Sequence, residues 1–205
     1  MVGGKSVLLM RSRPSLRPCL AIAAALWLGL PAGPWAASAS DLVPDYLRIQ
    51  FAGESGFLSL GAGYSWWNRR IEAEAAYGFA PEALAGIDLH ILSQKNTFSP
   101  GRLKVAGPLF LDPIMAGIAA NFTQGRRYEV ILPPHQRDYY WPDGLHFWFF
   151  AATKWTYEFE GASVRALSAT LEAGTINQYL RAYNSSESVG LGDILSLAVS
   201  VRLYL

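Results

Sequence analysis

Leu195-Ser196-Leu197-Ala198-Val199-Ser200-Val201-Arg202-Leu203-Tyr204-Leu205 ends the chain. Every odd position is Leu or Val. The even positions hold Ser, Ala, Ser, Arg and Tyr. A period of two puts alternate side chains on opposite faces of a β-strand. One face of this strand is therefore wholly aliphatic, and the other is small or polar with a single arginine. Its eleven residues match the roughly ten that a tilted strand needs to cross a bilayer.

The same alternation can be placed seven more times upstream. The first strand, 46–53, sets Leu47, Ile49 and Phe51 against Arg48 and Gln50. The second, 57–66, sets Leu58, Leu60, Ala62, Tyr64 and Trp66 against Ser59, Gly61, Gly63 and Ser65. The third, 70–79, opposes Ile71, Ala73, Ala75 and Tyr77 to Glu72 and Glu74. The fourth, 86–97, opposes Ile87, Leu89 and Ile91 to Asp88, His90, Gln94 and Asn96. The fifth, 113–123, puts Ile114, Ala116, Ile118 and Phe122 across from Gly117, Ala119 and Asn121. The sixth, 145–155, is apolar on both faces, with His146 and Lys154 in one phase. The seventh, 163–183, is long and sets Leu167, Ala169 and Leu171 against Ser168, Thr170 and Glu172. Together with the last strand these make eight, an even number that returns both termini to one side of a closed barrel. Splitting the seventh strand or the 98–112 stretch gives ten as the alternative.

Before the strands comes a different kind of segment. Lys5, Arg11, Arg13 and Arg17 precede the apolar run 19–30, and Pro31, Gly33 and Pro34 follow it. Ala37-Ser38-Ala39 fits the small-x-small rule for signal-peptide cleavage. The run falls short of the roughly 20 residues a spanning helix requires. Residues 1–39 therefore read as a signal peptide and 40–205 as one barrel domain. Cleavage removes Cys19, the single cysteine, and turns the formal charge from +1 to −3. No disulfide framework remains, so burial or a membrane must hold the product together. With 51% apolar and 16% charged residues the chain is not a disordered segment. Near-zero charge with no basic run after the signal argues against nucleic acid.

Sidedness follows from the connections. With the N-terminus periplasmic, 67–69 and 157–161 are short periplasmic turns, and the long proline-containing stretch 124–144 is extracellular. The 98–112 connection is longer than such a turn should be. Tyr64, Trp66 and Trp67, with Trp155, Tyr157 and Phe159, form one aromatic girdle, and Tyr139, Tyr140 and Trp141 mark the other. The fold class expected is all-β: a closed antiparallel transmembrane β-barrel. Closure satisfies every backbone hydrogen bond within lipid, with apolar residues facing out and polar residues facing in. The lumen polar network then comprises Arg48, Glu72, Glu74, Asp88, His90, Lys154, Glu172 and Arg202. Small residues on the second strand make room for Glu72 and Glu74, which need Arg48 or Lys154 as partners. A soluble, lipocalin-like barrel with apolar residues inward shows the same alternation. A water-exposed face, though, should be denser in Lys and Glu than this mixed set.

Chemistry has thin support. Asp88 and His90 share a face and are the best catalytic candidates, because outer-membrane hydrolases and acyltransferases use His with Ser. The alternation places both in the lumen, with Ser93 on the lipid side, so a hydrogen-bond network is the simpler reading. His135 and His146 complete three scattered histidines without metal-ligand spacing. No cofactor motif is present. Arg126, Arg127 and Arg137 could meet lipopolysaccharide phosphates, and Tyr139, Tyr140 and Trp141 could anchor or grip a partner.

Phe51-Ala52-Gly53-Glu54-Ser55-Gly56-Phe57-Leu58-Ser59-Leu60-Gly61-Ala62-Gly63-Tyr64, Lys95-Asn96-Thr97-Phe98-Ser99-Pro100 and the closing 193–205 strand resemble an uncharacterised family of small bacterial outer-membrane β-barrel proteins. The resemblance spans most of the mature chain. It implies outer-membrane location, contact with lipid and lipopolysaccharide, and hand-over to the barrel-assembly machinery by the C-terminal strand, although Leu205 stands where such strands usually end in an aromatic. It implies no activity, so no catalytic residue carries over. The chain is similar to lipid A deacylase and palmitoyltransferase barrels in size and architecture only. The expected role is structural or surface-interacting through the loops. The alternatives are a lipid A-modifying enzyme and a periplasmic ligand-binding barrel.

Overall fold

Alternating residues settle into long strands. In a computed structural model, which describes residues 43–125, 144–161, 163–185 and 190–205, these run in the order β1 (Tyr46–Ala52), β2 (Leu58–Trp66), β3 (Ile71–Ala80), helix α1 (Glu82–Ala85), β4 (Leu89–Phe98), β5 (Leu103–Ala106), β6 (Leu109–Gln124), β7 (Leu145–Glu158), β8 (Ala166–Ile176), helices α2 (Asn177–Ser185) and α3 (Leu191–Ile194), and β9 (Ser196–Tyr204). All pairings are antiparallel, in the order β4-β3-β2-β1-β9-β8-β7-β6, and β4 pairs with β6 to close the ring. The fold is an eight-stranded closed antiparallel β-barrel. First and last strands lie side by side, with Tyr46 opposite Tyr204 and Ala52 opposite Ala198. The signal-peptide segment 1–39 lies outside the described residues.

The long 98–112 connection has a simple cause. β4 pairs with β6 from His90↔Gln124 to Phe98↔Ala116, and β5 resumes the same register at Leu103↔Leu111. β5 thus continues the edge of β4, and the hairpin turns at Gly107-Pro108, beyond the barrel rim. Between the two paired stretches β6 bulges, its register with β7 slipping between Asp112 and Met115. Pro113, which has no N–H to give a ladder, sits in that slip. Ten strands are not needed.

Several boundaries differ from the alternation: the fifth predicted strand, 113–123, extends over Leu109–Gln124, and the sixth, 145–155, runs on to Glu158. The predicted seventh strand, 163–183, is strand only over Ala166–Ile176, then turns into α2. Asn177 accepts the Phe147 amide with its side chain at that change (3.1 Å). The predicted fourth strand begins at Leu89, not 86, and its faces are reversed. Ile91, Ser93, Lys95 and Thr97 are buried inside, while His90, Leu92 and Phe98 are exposed outside.

Outside and inside have opposite chemistry. Leu47, Ile49, Phe51, Leu58, Leu60, Leu92, Ile118, Leu171, Leu197, Val199 and Val201 are exposed. The outward phase of the eight barrel strands contains no Asp, Glu, Lys or Arg. Trp66, Trp67, Trp155, Tyr157 and Phe159 are exposed at the end where the termini lie. The second predicted girdle, Tyr139, Tyr140 and Trp141, lies outside the described residues.

Candidate functional site in the barrel lumen

Inward positions on β1, β3, β4, β6, β7, β8 and β9 bring eight charges together. The cations are Arg48, Lys95, Lys154 and Arg202, and the anions are Glu72, Glu74, Asp112 and Glu172. None of them is more than 5% exposed. Four positive charges thus meet four negative ones among the described residues. An unpaired ion here would cost several kcal/mol, so the balance is what permits the lumen to be charged at all.

Short contacts join specific pairs. Arg48 meets Glu74 at 2.6 Å, Lys154 meets Glu72 at 2.7 Å, and Lys95 meets Glu172 at 2.7 Å. Asp112 lies 3.8 Å from Lys154 and accepts a hydrogen bond from Ser99 (2.8 Å). Arg202 is the hub. Its guanidinium lies 3.7 Å from Glu72, 3.9 Å from Glu74 and 3.7 Å from Glu172, and it donates to Thr170. Gln50 bridges two cations, accepting from Arg48 and from Lys95 (3.0 Å).

Aromatic rings cover this network at both ends. Toward the termini, Tyr46 and Tyr204 pack with ring centroids 5.3 Å apart. Their hydroxyls donate to Glu74 (3.2 Å) and Glu72 (2.6 Å). Arg69 stacks over Tyr204 and pairs with Glu158, which also holds Arg102. Toward the loops, Trp148 and Phe150 stack at 4.7 Å with Ala119, Ile176 and Ala198 around them. The Lys95 ammonium lies 5.0 and 4.8 Å from the two ring centres, within cation–π reach.

Glycine provides the room for the rings. Phe150 stands opposite Gly117 on one side and Gly174 on the other. A Cβ at Gly117 would strike the Phe150 ring, and one at Gly174 the Trp148 indole. Gly63 faces Tyr46 in register, and a Cβ there would lie 2.5 Å from the phenol. The space that Gly63 leaves is filled by this ring, not by the carboxylates of β3.

Six of the eight residues assigned to the lumen from sequence lie in this network: Arg48, Glu72, Glu74, Lys154, Glu172 and Arg202. Asp88 and His90 do not; both are exposed. Asp88 accepts the Glu82 backbone N–H (2.8 Å) beside α1. His90 lies on the outer face at the loop end, its Nδ1 2.5 Å from the Tyr77 hydroxyl. Ser93, the nearest serine along β4, faces inward and donates to Asn121 (2.6 Å). His90 and Ser93 therefore sit on opposite sides of the barrel wall, and Asp88 and His90 each have a partner other than the other. Sequence reasoning missed Lys95, Asp112 and Gln50 as network members. The candidate contact residues Arg126, Arg127, Arg137, Tyr139, Tyr140 and Trp141 lie outside the described residues, as does His135. His146 meets the Gln178 amide at 2.7 Å.

Chemically this is a charge-balanced network. Each carboxylate is engaged by a cation, and among the described residues no cluster of His, Cys, Asp and Glu could hold a metal ion. No protein-family model and no curated protein matches the chain.

Proposed function

We propose that the chain is a small integral outer-membrane β-barrel protein with a side-chain-filled lumen, whose role is structural or surface-interacting through the loops opposite the termini. The observation that carries this reading is the inversion of polarity. Strand positions facing outward bear no Asp, Glu, Lys or Arg, while eight charged side chains are enclosed. In water an exposed apolar belt of this extent would drive aggregation; in a bilayer it meets acyl chains. A soluble ligand-binding barrel needs the opposite arrangement, an apolar cavity under a polar coat.

Further support comes from the rims. At the end where the termini lie, Trp66, Trp67, Trp155 and Tyr157 are exposed where a headgroup region would be, and β2 joins β3 there through the four residues 67–70. A lumen filled by ion pairs and rings leaves no path for solutes, which argues against a porin. Lipid A hydrolysis or acyl transfer at His90 is disfavoured because, among the described residues, His90 pairs with the Tyr77 hydroxyl and not with a serine. Fractionation tests the proposal. The mature protein should pellet with envelopes, resist carbonate extraction and run faster on gels unheated than boiled. Recovery from the soluble periplasm would end it.

A further inference from the structure

The apolar belt has one polar interruption away from its rims. Gln94 and Asn96, outward on β4, exchange two hydrogen bonds: Gln94 Nε2 gives to Asn96 Oδ1 (2.9 Å), and Asn96 Nδ2 gives to Gln94 Oε1 (3.1 Å). The other outward polar groups lie near a rim or have a local partner, Thr175 standing one residue from the loop end of β8. His90 and Gln124 stand opposite one another at the loop-end rim. The Thr153 hydroxyl donates to the Asp112 carbonyl that the β6 bulge releases (3.3 Å). A primary amide carries two N–H donors and an oxygen with two lone pairs. The exchange uses one donor and one acceptor site of each, which leaves each amide a second N–H and a second lone pair.

Both side chains are half-buried beside alanine neighbours. Gln94 stands between Ala75 of β3 and Ala120 of β6, and Asn96 stands next to Ala73. If the belt meets acyl chains, as proposed above, these groups lie in the middle of β4 where lipid offers no partner. Unsatisfied polar groups in hydrocarbon are costly, and such residues in membrane segments are held by other polar groups.

We propose that two copies of this chain associate side by side through the outward face of β4, the Gln94–Asn96 pair of one hydrogen-bonding the same pair of the other. The occupant follows from depth and from complementarity. Copies inserted with the same topology are related by a two-fold axis along the membrane normal, which brings identical residues to identical depth. An amide pair with a donor and an acceptor to spare is its own complement. Lipid headgroup and ester oxygens lie nearer the rims.

Single cysteines in a Cys19→Ser background test this in intact envelopes under mild oxidation. Ala75→Cys lies beside Gln94, and Val199→Cys lies on β9, diametrically across the ring. Ala75→Cys should give a reducible band of doubled mass that Val199→Cys lacks. Adding Gln94→Leu with Asn96→Leu should abolish that band while the heat-modifiable, membrane-bound monomer persists. Absence of cross-linking from Ala75→Cys in membrane-bound protein overturns the association and leaves the barrel proposal standing. So does equal cross-linking from both sites, or a band that survives the leucine pair. If instead the leucine pair destabilises a protein that never cross-links, a polar lipid group is the occupant and the dimer is refuted. Recovery of the chain from the soluble fraction refutes both readings together.

Discussion

Lys95→Met removes one charge from a neutral set of eight. At 2.7 Å from Glu172, with an effective dielectric constant of about 20, the gross attraction lost is about 6 kcal/mol. Methionine has no desolvation cost, which returns part of that sum. What remains is the penalty of Glu172 held in the lumen with only Arg202, 3.7 Å away, as a cation. Breaking a buried pair from one side costs about 3–5 kcal/mol, and Lys95→Met should fall in this range. Glu172→Gln should cost a similar amount, because it strands Lys95. Together the two changes restore the balance at three against three. The double variant should therefore be more stable than the sum of the single losses by about 2–3 kcal/mol, the upper end of couplings seen for residues in contact. Urea unfolding of folded protein in lipid vesicles, followed by tryptophan fluorescence and by the heat-sensitive gel shift, measures all four corners of the cycle. Additive losses would refute the reasoning, since additivity would mean that charge balance does not govern the lumen.

Three further outcomes follow. Gly63→Ala should destabilise the barrel by about 1–3 kcal/mol through overpacking, because the new methyl meets the Tyr46 ring and the Ala73 carbonyl; an unchanged urea midpoint would contradict the packing described. Burial raises the Glu54 carboxyl above its ordinary value, so the folded state favours its neutral form. Stability from this group is full below the unfolded-state value of about 4.3 and is lost as pH rises through the elevated one. Glu54→Gln should accordingly be neutral in acid and stabilising at pH 7, as read from urea midpoints at the two pH values. The reconstituted protein should add no steady ion conductance to a planar bilayer, and stepwise openings would mean that the ion-pair network is not in place.

How much of this was legible in the sequence depends on the strand. β9, β8, β3 and β1 alternate cleanly because each carries its polar residues in the middle of the lumen, where the ion pairs lie. β4 departs from the alternation at its loop end, where the aliphatic Ile91 faces inward beside Gly78 and Thr123. Ile91 is buried there, so the rule of apolar residues outward fails for those positions. A signal was available. Lys95 shares a phase with Ile91 and Ser93, and a lysine in mid-strand on a lipid-facing stripe is costly. That cost turns the strand over, brings Lys95 into the network and puts His90 outside. Asp112 was missed because it precedes a bulge, where alternation carries no phase across the extra residue. The helical turn after Ile176 and the β5 continuation of β4 depend on pairing partners, which one strand's pattern does not contain. The alternation places Gln50 inward, but its bridging of two cations is a matter of three-dimensional proximity.

The direction of the barrel wall is the claim from which the rest descends. Cysteines placed one at a time from Leu197 to Arg202, in protein reconstituted without Cys19 and carrying a nitroxide on each, give it a direct measurement. Collision with oxygen, which concentrates in the bilayer, should rise at 197, 199 and 201 and fall at 198, 200 and 202, with little access to a water-soluble nickel chelate at the odd positions. Chelate access at 197, 199 and 201 would contradict the account, because the aliphatic stripe would then face water.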